Sequence, residues 1–146
     1  MEKLKLYFGK KKLKILDFGS GIGTRSFIYA KRNDVTLVEI NKKLLDFSEW
    51  RFKKYNLKGE FYNKLPKNRK FDLIVLLDVI GHLMEPIKII SELCDSLKKQ
   101  GILRISFDNL EYSWAGGIHR NKEINFHKLL VEKGLTKINS NYYKKV

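Results

Sequence analysis

Apolar and polar positions along this chain follow two alternating rhythms. Segments 12–18 (KLKILDF), 34–40 (DVTLVEI), 59–63 (GEFYN), 71–78 (FDLIVLLD) and 102–107 (ILRISF) are short and rich in apolar, β-branched or aromatic residues, which predicts strands. The run 71–78 is almost unbroken in its hydrophobicity, as a strand covered on both faces requires. Between these segments the spacing becomes helical. A stretch from about Thr24 to Lys31 follows the first strand, and in 42–55 Leu44, Leu45, Phe47 and Phe52 recur near a helical period. Pro86 stands where a helix can begin, Ile87, Ile90, Leu93, Cys94 and Leu97 give that helix an apolar face, and Gly101 is placed to end it. A helix at 125–133 and a strand at 135–141 follow. Alternation of this kind implies an α/β architecture, a parallel sheet with helices on both faces and right-handed crossovers. Trp50 and the phenylalanines near it are expected in the core, and His127 reads as a structural residue of its helix. Arg104 is a misfit within a strand and should find a carboxylate partner or mark an exposed face.

Residues 108–124 break the rhythm with a long loop holding Trp114, His119 and Arg120. Two glycines precede His119 and Arg120, a layout suited to either a substrate lid or an ordinary solvated loop. The length of 146 residues fits one domain, 1–146, without linker or repeat. Cys94 is the only cysteine, so no intrachain disulfide and no cysteine-rich zinc site can form; no metal is expected. No stretch resembles a signal-peptide core or a membrane span, so a cytoplasmic protein with no membrane partner is the expectation. The net charge of +14 is unusual, but the cations fall in short clusters along the whole chain. That distribution favours a solvated surface over a dedicated nucleic-acid groove, with an acidic partner such as RNA as the rival reading.

Candidate chemistry gathers at the end of the first strand, in ILDFGSGIGT, residues 15–24. Gly19, Gly21 and Gly23 alternate there, and ligands of open parallel sheets bind at the carboxyl ends of strands. A dinucleotide site would place its third glycine three positions after the second, where this chain has Thr24. Asp17 separates the candidates further: a carboxylate two residues before the turn repels a pyrophosphate and attracts an ammonium or sulfonium group. Glu39, twenty residues after Gly19 at the end of the second strand, can accept hydrogen bonds from ribose hydroxyls, as acids of NAD sites also do.

Together, ILDFGSGIGT, the acid in LVEI and the later FDLIVLLDVIGHLMEP resemble the class I S-adenosylmethionine-dependent methyltransferases, from about Lys12 to Phe107 and more weakly to Ile138. LDVIGHLMEP followed by ISFDN is similar to the small-molecule members of the ubiquinone-biosynthesis type. The resemblance implies a Rossmann-like, doubly wound, mostly parallel sheet and S-adenosylmethionine as cofactor. Asp17 and the turn at Gly19, Gly21 and Gly23 would hold its methionine moiety, Glu39 its ribose, and Ile40 would pack on the adenine. Asn63 would face the adenine amine, and Asp78 would border the methionine end and the acceptor. His82 and His119 are the candidate bases.

Two departures from the family pattern matter. Gly81 replaces the glutamate that usually precedes the histidine, and the first strand begins with little chain before it. An open site, a partner chain or homodimer closing it, or a large substrate would each accommodate the second. A small-molecule O- or N-acceptor is the main expectation. RNA or protein acceptors, or a non-catalytic methyltransferase-like subunit, are the rivals; no N/D-P-P-Y/F signature follows the fourth strand, where the chain reads DVIG.

Overall fold

The computed structural model describes residues 8–9, 11–107 and 123–146. In chain order these form β1 (Lys14–Phe18), α1 (Thr24–Tyr29), β2 (Asp34–Val38), α2 (Lys42–Lys54), β3 (Glu60–Tyr62), β4 (Phe71–Leu76), a 3-10 turn (Ile80–His82), α3 (Pro86–Ser96), β5 (Leu97–Ile105), α4 (Phe126–Glu132), β6 (Leu135–Asn139) and β7 (Tyr142–Lys145). The seven strands make one sheet in the order β3-β2-β1-β4-β5-β7-β6. β1 to β5 run parallel, whereas β7 pairs antiparallel with both β5 and β6. The direction of winding reverses between β1 and β4, and in sheets of this topology the carboxyl ends of the strands at that switch point form the ligand crevice.

Two apolar layers sandwich the sheet. One joins Leu16, Ile74, Leu76 and Leu103 to α3 and α4 through Ile90, Leu93, Phe126 and Leu130. The other joins Ile15, Val35, Leu37, Leu73 and Val75 to α1 and α2 through Tyr29, Leu45 and Phe52. All six residues of β4 are buried, which accounts for its apolar run, with Asp72 the one polar member. Each apolar side chain among them contributes roughly 1.5–3 kcal/mol of burial.

Helix limits follow from local chemistry. The Asn41 side chain accepts the Lys43 N–H at 3.1 Å and starts α2, and Asn125 does the same for α4 through the Lys128 N–H at 2.9 Å. Asn33 closes the turn after α1 by donating to the Tyr29 carbonyl at 3.0 Å while accepting the Leu13 N–H at 3.1 Å. Pro86 opens α3, where its missing N–H costs no helical bond.

Four local expectations are corrected. Gly101 does not end α3: the helix stops at Ser96, and Leu97 already pairs with Phe71 as the start of β5. A register shift between the Phe71 and Leu73 pairings then absorbs Gln100, whose φ is +64°. The terminal segment is a hairpin of two strands, not one strand, because residues 140–141 turn the chain back. Trp50 is 52% exposed and Phe47 42% exposed, so only Phe52 of that aromatic group is core. The inward stripe of α2 is Leu45, Ser48 and Phe52, and Trp50 lies out of phase with it. Arg104 is half-buried and takes a phenol as partner: it donates to the Tyr29 hydroxyl at 3.3 Å and lies 5.6 Å from the centre of the Tyr142 ring.

Candidate functional site

At the carboxyl end of β1 the chain makes the glycine turn, and hydrogen bonds tie that turn to β2. The N–H groups of Gly19 and Ser20 donate to the Val38 carbonyl at 2.8 and 3.1 Å. Gly19 has φ +71°, and a β-carbon there would come 2.3 Å from Cγ2 of Val79. The glycine therefore lets the turn close against the loop that follows β4. Gly21, with φ +56°, faces open space: nothing lies within 4 Å of a β-carbon built on it. Gly23, at φ +67°, sits against Leu37 and Ser48, which seats the turn on α2.

Asp17 is 2% exposed at the base of this turn and accepts a 2.7 Å hydrogen bond from the Ser26 hydroxyl. Burial pushes its carboxyl above the usual range, against the opposing pull of the Ser26 hydrogen bond and the charges of Arg25 and Arg104. Among the described residues, no cation stands within ion-pair distance of it. Asp17 is in register with Val75 of β4, and Val75 with Arg104 of β5, so Asp17 and Arg104 project from the same face of the sheet two strands apart. Glu39, just past β2, is 9% exposed and ordered by two backbone donors: Gly21 N–H at 2.8 Å and Asn41 N–H at 2.9 Å. Each carboxylate oxygen keeps a further lone pair for a ligand hydroxyl. Ile40 beside it is 88% exposed, an apolar surface left to water. Asn63 is exposed and follows Tyr62, whose carbonyl accepts the Glu39 N–H at 3.0 Å, so it stands at the same rim.

Asp78 and His82 extend the rim beyond β4, and both are exposed. Asp78 has φ +59°, a left-handed conformation that is uncommon for a residue with a side chain. Its N–H donates to the buried Ser106 hydroxyl at 3.0 Å, and its carboxylate lies 4.0 Å from Arg25. His82 ends the 3-10 turn and donates its backbone N–H to Val79. Asp78 caps no α-helix; the residue before α3 is Glu85. His119, with Arg120 and most of the 108–124 loop, lies outside the described residues. His127 is far along the chain on α4, its Nδ1 3.2 Å from the Tyr143 hydroxyl.

Four residues that the sequence did not single out belong to this cluster: Ser20, Arg25, Ser26 and Ser106. The Ser20 hydroxyl, in the turn itself, is buried without a hydrogen-bond partner among the described residues. Small hydroxyl residues carry no periodic signal, but Ser26 falls on the first turns of α1, directly after the glycines.

A family model described as a methyltransferase domain matches residues 1–139. The chain belongs to the class I S-adenosylmethionine-dependent methyltransferases. The PH0226 protein from Pyrococcus horikoshii OT3 has a similar structure, at 26% identity and TM-score 0.60 over 72% of this chain and 51% of that one. So has the plantazolicin methyltransferase BpumL in complex with SAH, at 21% identity and TM-score 0.60, over 70% and 42%. The [4+2]-cyclase SpnF matches at 19% identity and TM-score 0.62, over 71% and 42%. This chain thus spans about half, or less, of the length of each of these structures. No curated protein matches it in sequence. Among the described residues no helix is long and apolar enough to cross a membrane.

S-adenosylmethionine is the cofactor of this family. Several features of the crevice fit that molecule: a buried carboxylate with no cation at ion-pair distance and a serine hydroxyl with no hydrogen-bond partner, both among the described residues, an ordered acid at the ribose position, and a bare apolar side chain beside it. Gly21 leaves room for close approach.

Proposed function

We propose that this chain forms one domain that transfers a methyl group from S-adenosylmethionine to an oxygen or nitrogen of a small-molecule acceptor. The reading rests chiefly on Asp17, a desolvated carboxylate with Ser26 as its partner at the base of an open glycine turn. Such a group gains most from a cationic ligand, because a positive charge beside it offsets the cost of its burial. When bound, the cofactor supplies a methyl group on a sulfonium, already activated for in-line displacement.

In this reading the chain mainly binds and orients. Asp17 and the turn at Gly19, Gly21 and Gly23 take the amino-acid end, Glu39 the ribose hydroxyls, and Ile40 and Asn63 flank the base. Asp78 borders the acceptor. Its backbone N–H is held by Ser106 and its carboxylate lies 4.0 Å from Arg25. His82 stands at the same rim and can take the acceptor's proton if a hydroxyl reacts; His119 is the other candidate base. The cytoplasm is the proposed compartment, where Cys94 stays reduced.

An RNA acceptor is the second reading, favoured by the net charge of +14. Incubation with methyl-labelled cofactor and fractionated cell extract separates the two. Label in the small-molecule fraction is the expected result, label in RNA or protein would replace the acceptor, and no label in any fraction would overturn the proposal.

A further inference from the structure

Away from the crevice, the outer face of α2 presents aromatic rings interleaved with cations. The Phe47 and Trp50 rings lie 5.5 Å apart, with Lys54 Nζ 4.9 Å from the centre of Trp50 and 5.9 Å from that of Tyr55. Arg51 lies 5.1 Å from the Phe27 ring and 5.8 Å from the Phe47 ring, and its Nε and Nη2 are buried without an acceptor among the described residues. Trp50 and Tyr55 are 52% and 58% exposed. Residues 50–58 carry four cations and no acid, and of the two acids earlier on α2, Asp46 is bonded to Lys42 at 2.7 Å.

This face continues into a second feature. α2 runs back along the sheet, so its last turn lies at the amino ends of the strands, the pole opposite the cofactor crevice. A cleft of about 530 Å³ opens there, lined by Lys14, Lys58, Arg69, Lys70 and Lys98 against Asp34 and Glu60. Asp34 is paired with Lys12 at 2.5 Å and Glu60 with Arg69 at 2.8 Å, while Lys98 is bonded to Asp72 at 2.9 Å and Lys70 donates to the Asp95 carbonyl at 2.5 Å, so among the described residues Lys14 and Lys58 are the lining cations left to meet a phosphate. Lys58 belongs to the cationic run after Trp50 and to the cleft wall, and so joins the two.

We propose that Trp50, Lys54, Tyr55 and Lys58, with the cleft at the amino ends of the strands, form a binding track for single-stranded nucleic acid. Charge alone would suit any acidic partner. Flat, exposed rings flanked by cations favour nucleic acid, because bases stack on the rings while phosphates meet the ammonium groups. Duplexes keep their base faces covered, so the strand must be single. The track stands whichever molecule accepts the methyl group. It would hold a strand at the pole away from the crevice, across the length of β2, about 13 Å at 3.3 Å per residue.

Fluorescence anisotropy with labelled twelve-nucleotide oligouridylate and oligodeoxythymidylate, read across a salt series, tests this. The wild-type chain should bind at about 50 mM salt, with affinity falling steeply as salt rises. Binding of both strands assigns a general single-strand track, and binding of the uridylate alone assigns RNA. Trp50→Ala should weaken binding by roughly 5- to 100-fold with the salt slope kept, as loss of one stacked base requires. Lys54→Glu/Lys58→Glu should reduce the slope itself. Unchanged S-adenosylmethionine affinity in both variants, read by calorimetry, shows that the fold survives and keeps this test separate from the methyltransferase reading. No binding by wild type, an unaffected Trp50→Ala, or equal competition by polyglutamate of matched charge would each overturn the track. So would a self-associating dimer that Trp50→Ala dissociates while oligonucleotide binding is unchanged.

Discussion

Gly19 gives the sharpest quantitative test of how the turn is built. Replacing it with alanine imposes two separable costs. The residue must hold φ +71°, and the new β-carbon meets Val79 Cγ2 at 2.3 Å and Cγ1 at 3.2 Å. Holding an L-residue in the left-handed region costs about 1–2 kcal/mol. Overpacking against a branched side chain adds about 1–3 kcal/mol. Gly19→Ala should therefore destabilise the protein by about 2–5 kcal/mol. Val79→Ala removes both offending methyls and leaves only its own β-carbon, 3.4 Å away, an ordinary contact. In that background Gly19→Ala should retain only the conformational cost. Urea denaturation of the four proteins, followed by circular dichroism, gives the coupling energy directly. The expected coupling is about 1–3 kcal/mol in favour of the double variant. Strict additivity would refute the contact between the glycine turn and the loop after β4, and with it the claim that Gly19 brings the two together.

Other consequences follow from the charged and polar groups. Asp72 is buried at the start of β4; burial alone would raise its carboxyl, but the Lys14 N–H at 2.8 Å and Lys98 Nζ at 2.9 Å hold it below the usual range. A depressed acid stabilises the fold above its unfolded pKa and loses that contribution as pH falls through the folded value. Asp72→Asn should thus cost about 1–3 kcal/mol at neutral pH and flatten the acid limb of a stability–pH profile. Burial pushes the Cys94 thiol up to about 11, so the native protein should leave a thiol reagent unreacted until denaturant is added. Ser26→Ala removes the 2.7 Å hydrogen bond that favours the Asp17 carboxylate, and calorimetry should find weaker cofactor binding near neutral pH in that variant.

Much of the fold was legible because strand and helix periods differ and β1 to β5 alternate with helices or turns that cover the sheet. The fully buried β4 announced itself as an apolar run, and Pro86 marked a helix start by its backbone chemistry. The β6–β7 hairpin was harder to read, since YYKK lacks a clean alternation and carries both aromatic and charged positions. Gly101 misled because glycine serves an irregular strand as readily as a helix end. Trp50 misled because composition reports hydrophobicity but not helical phase. In the site, Asp17 and Glu39 were readable from their distance to the glycines. Ser20, Ser26 and Ser106 were not, because each matters through a contact made between elements.

Asp17 also sets the stability and the ligand affinity against each other. Its raised pKa means that keeping it ionised near neutrality costs the ligand-free fold stability, a cost relieved as pH falls through the folded value. A cationic ligand reverses that balance and should take up the charge. The decisive measurement is titration calorimetry of S-adenosylmethionine binding to the wild-type chain and to Asp17→Asn across a pH series. Wild-type affinity should weaken as the solution is acidified through the Asp17 titration, and Asp17→Asn should bind at least roughly tenfold less tightly, about 1.4 kcal/mol, with that pH dependence gone. Equal affinity in the two proteins at neutral pH would contradict the claim that this buried acid is there to receive a positive charge.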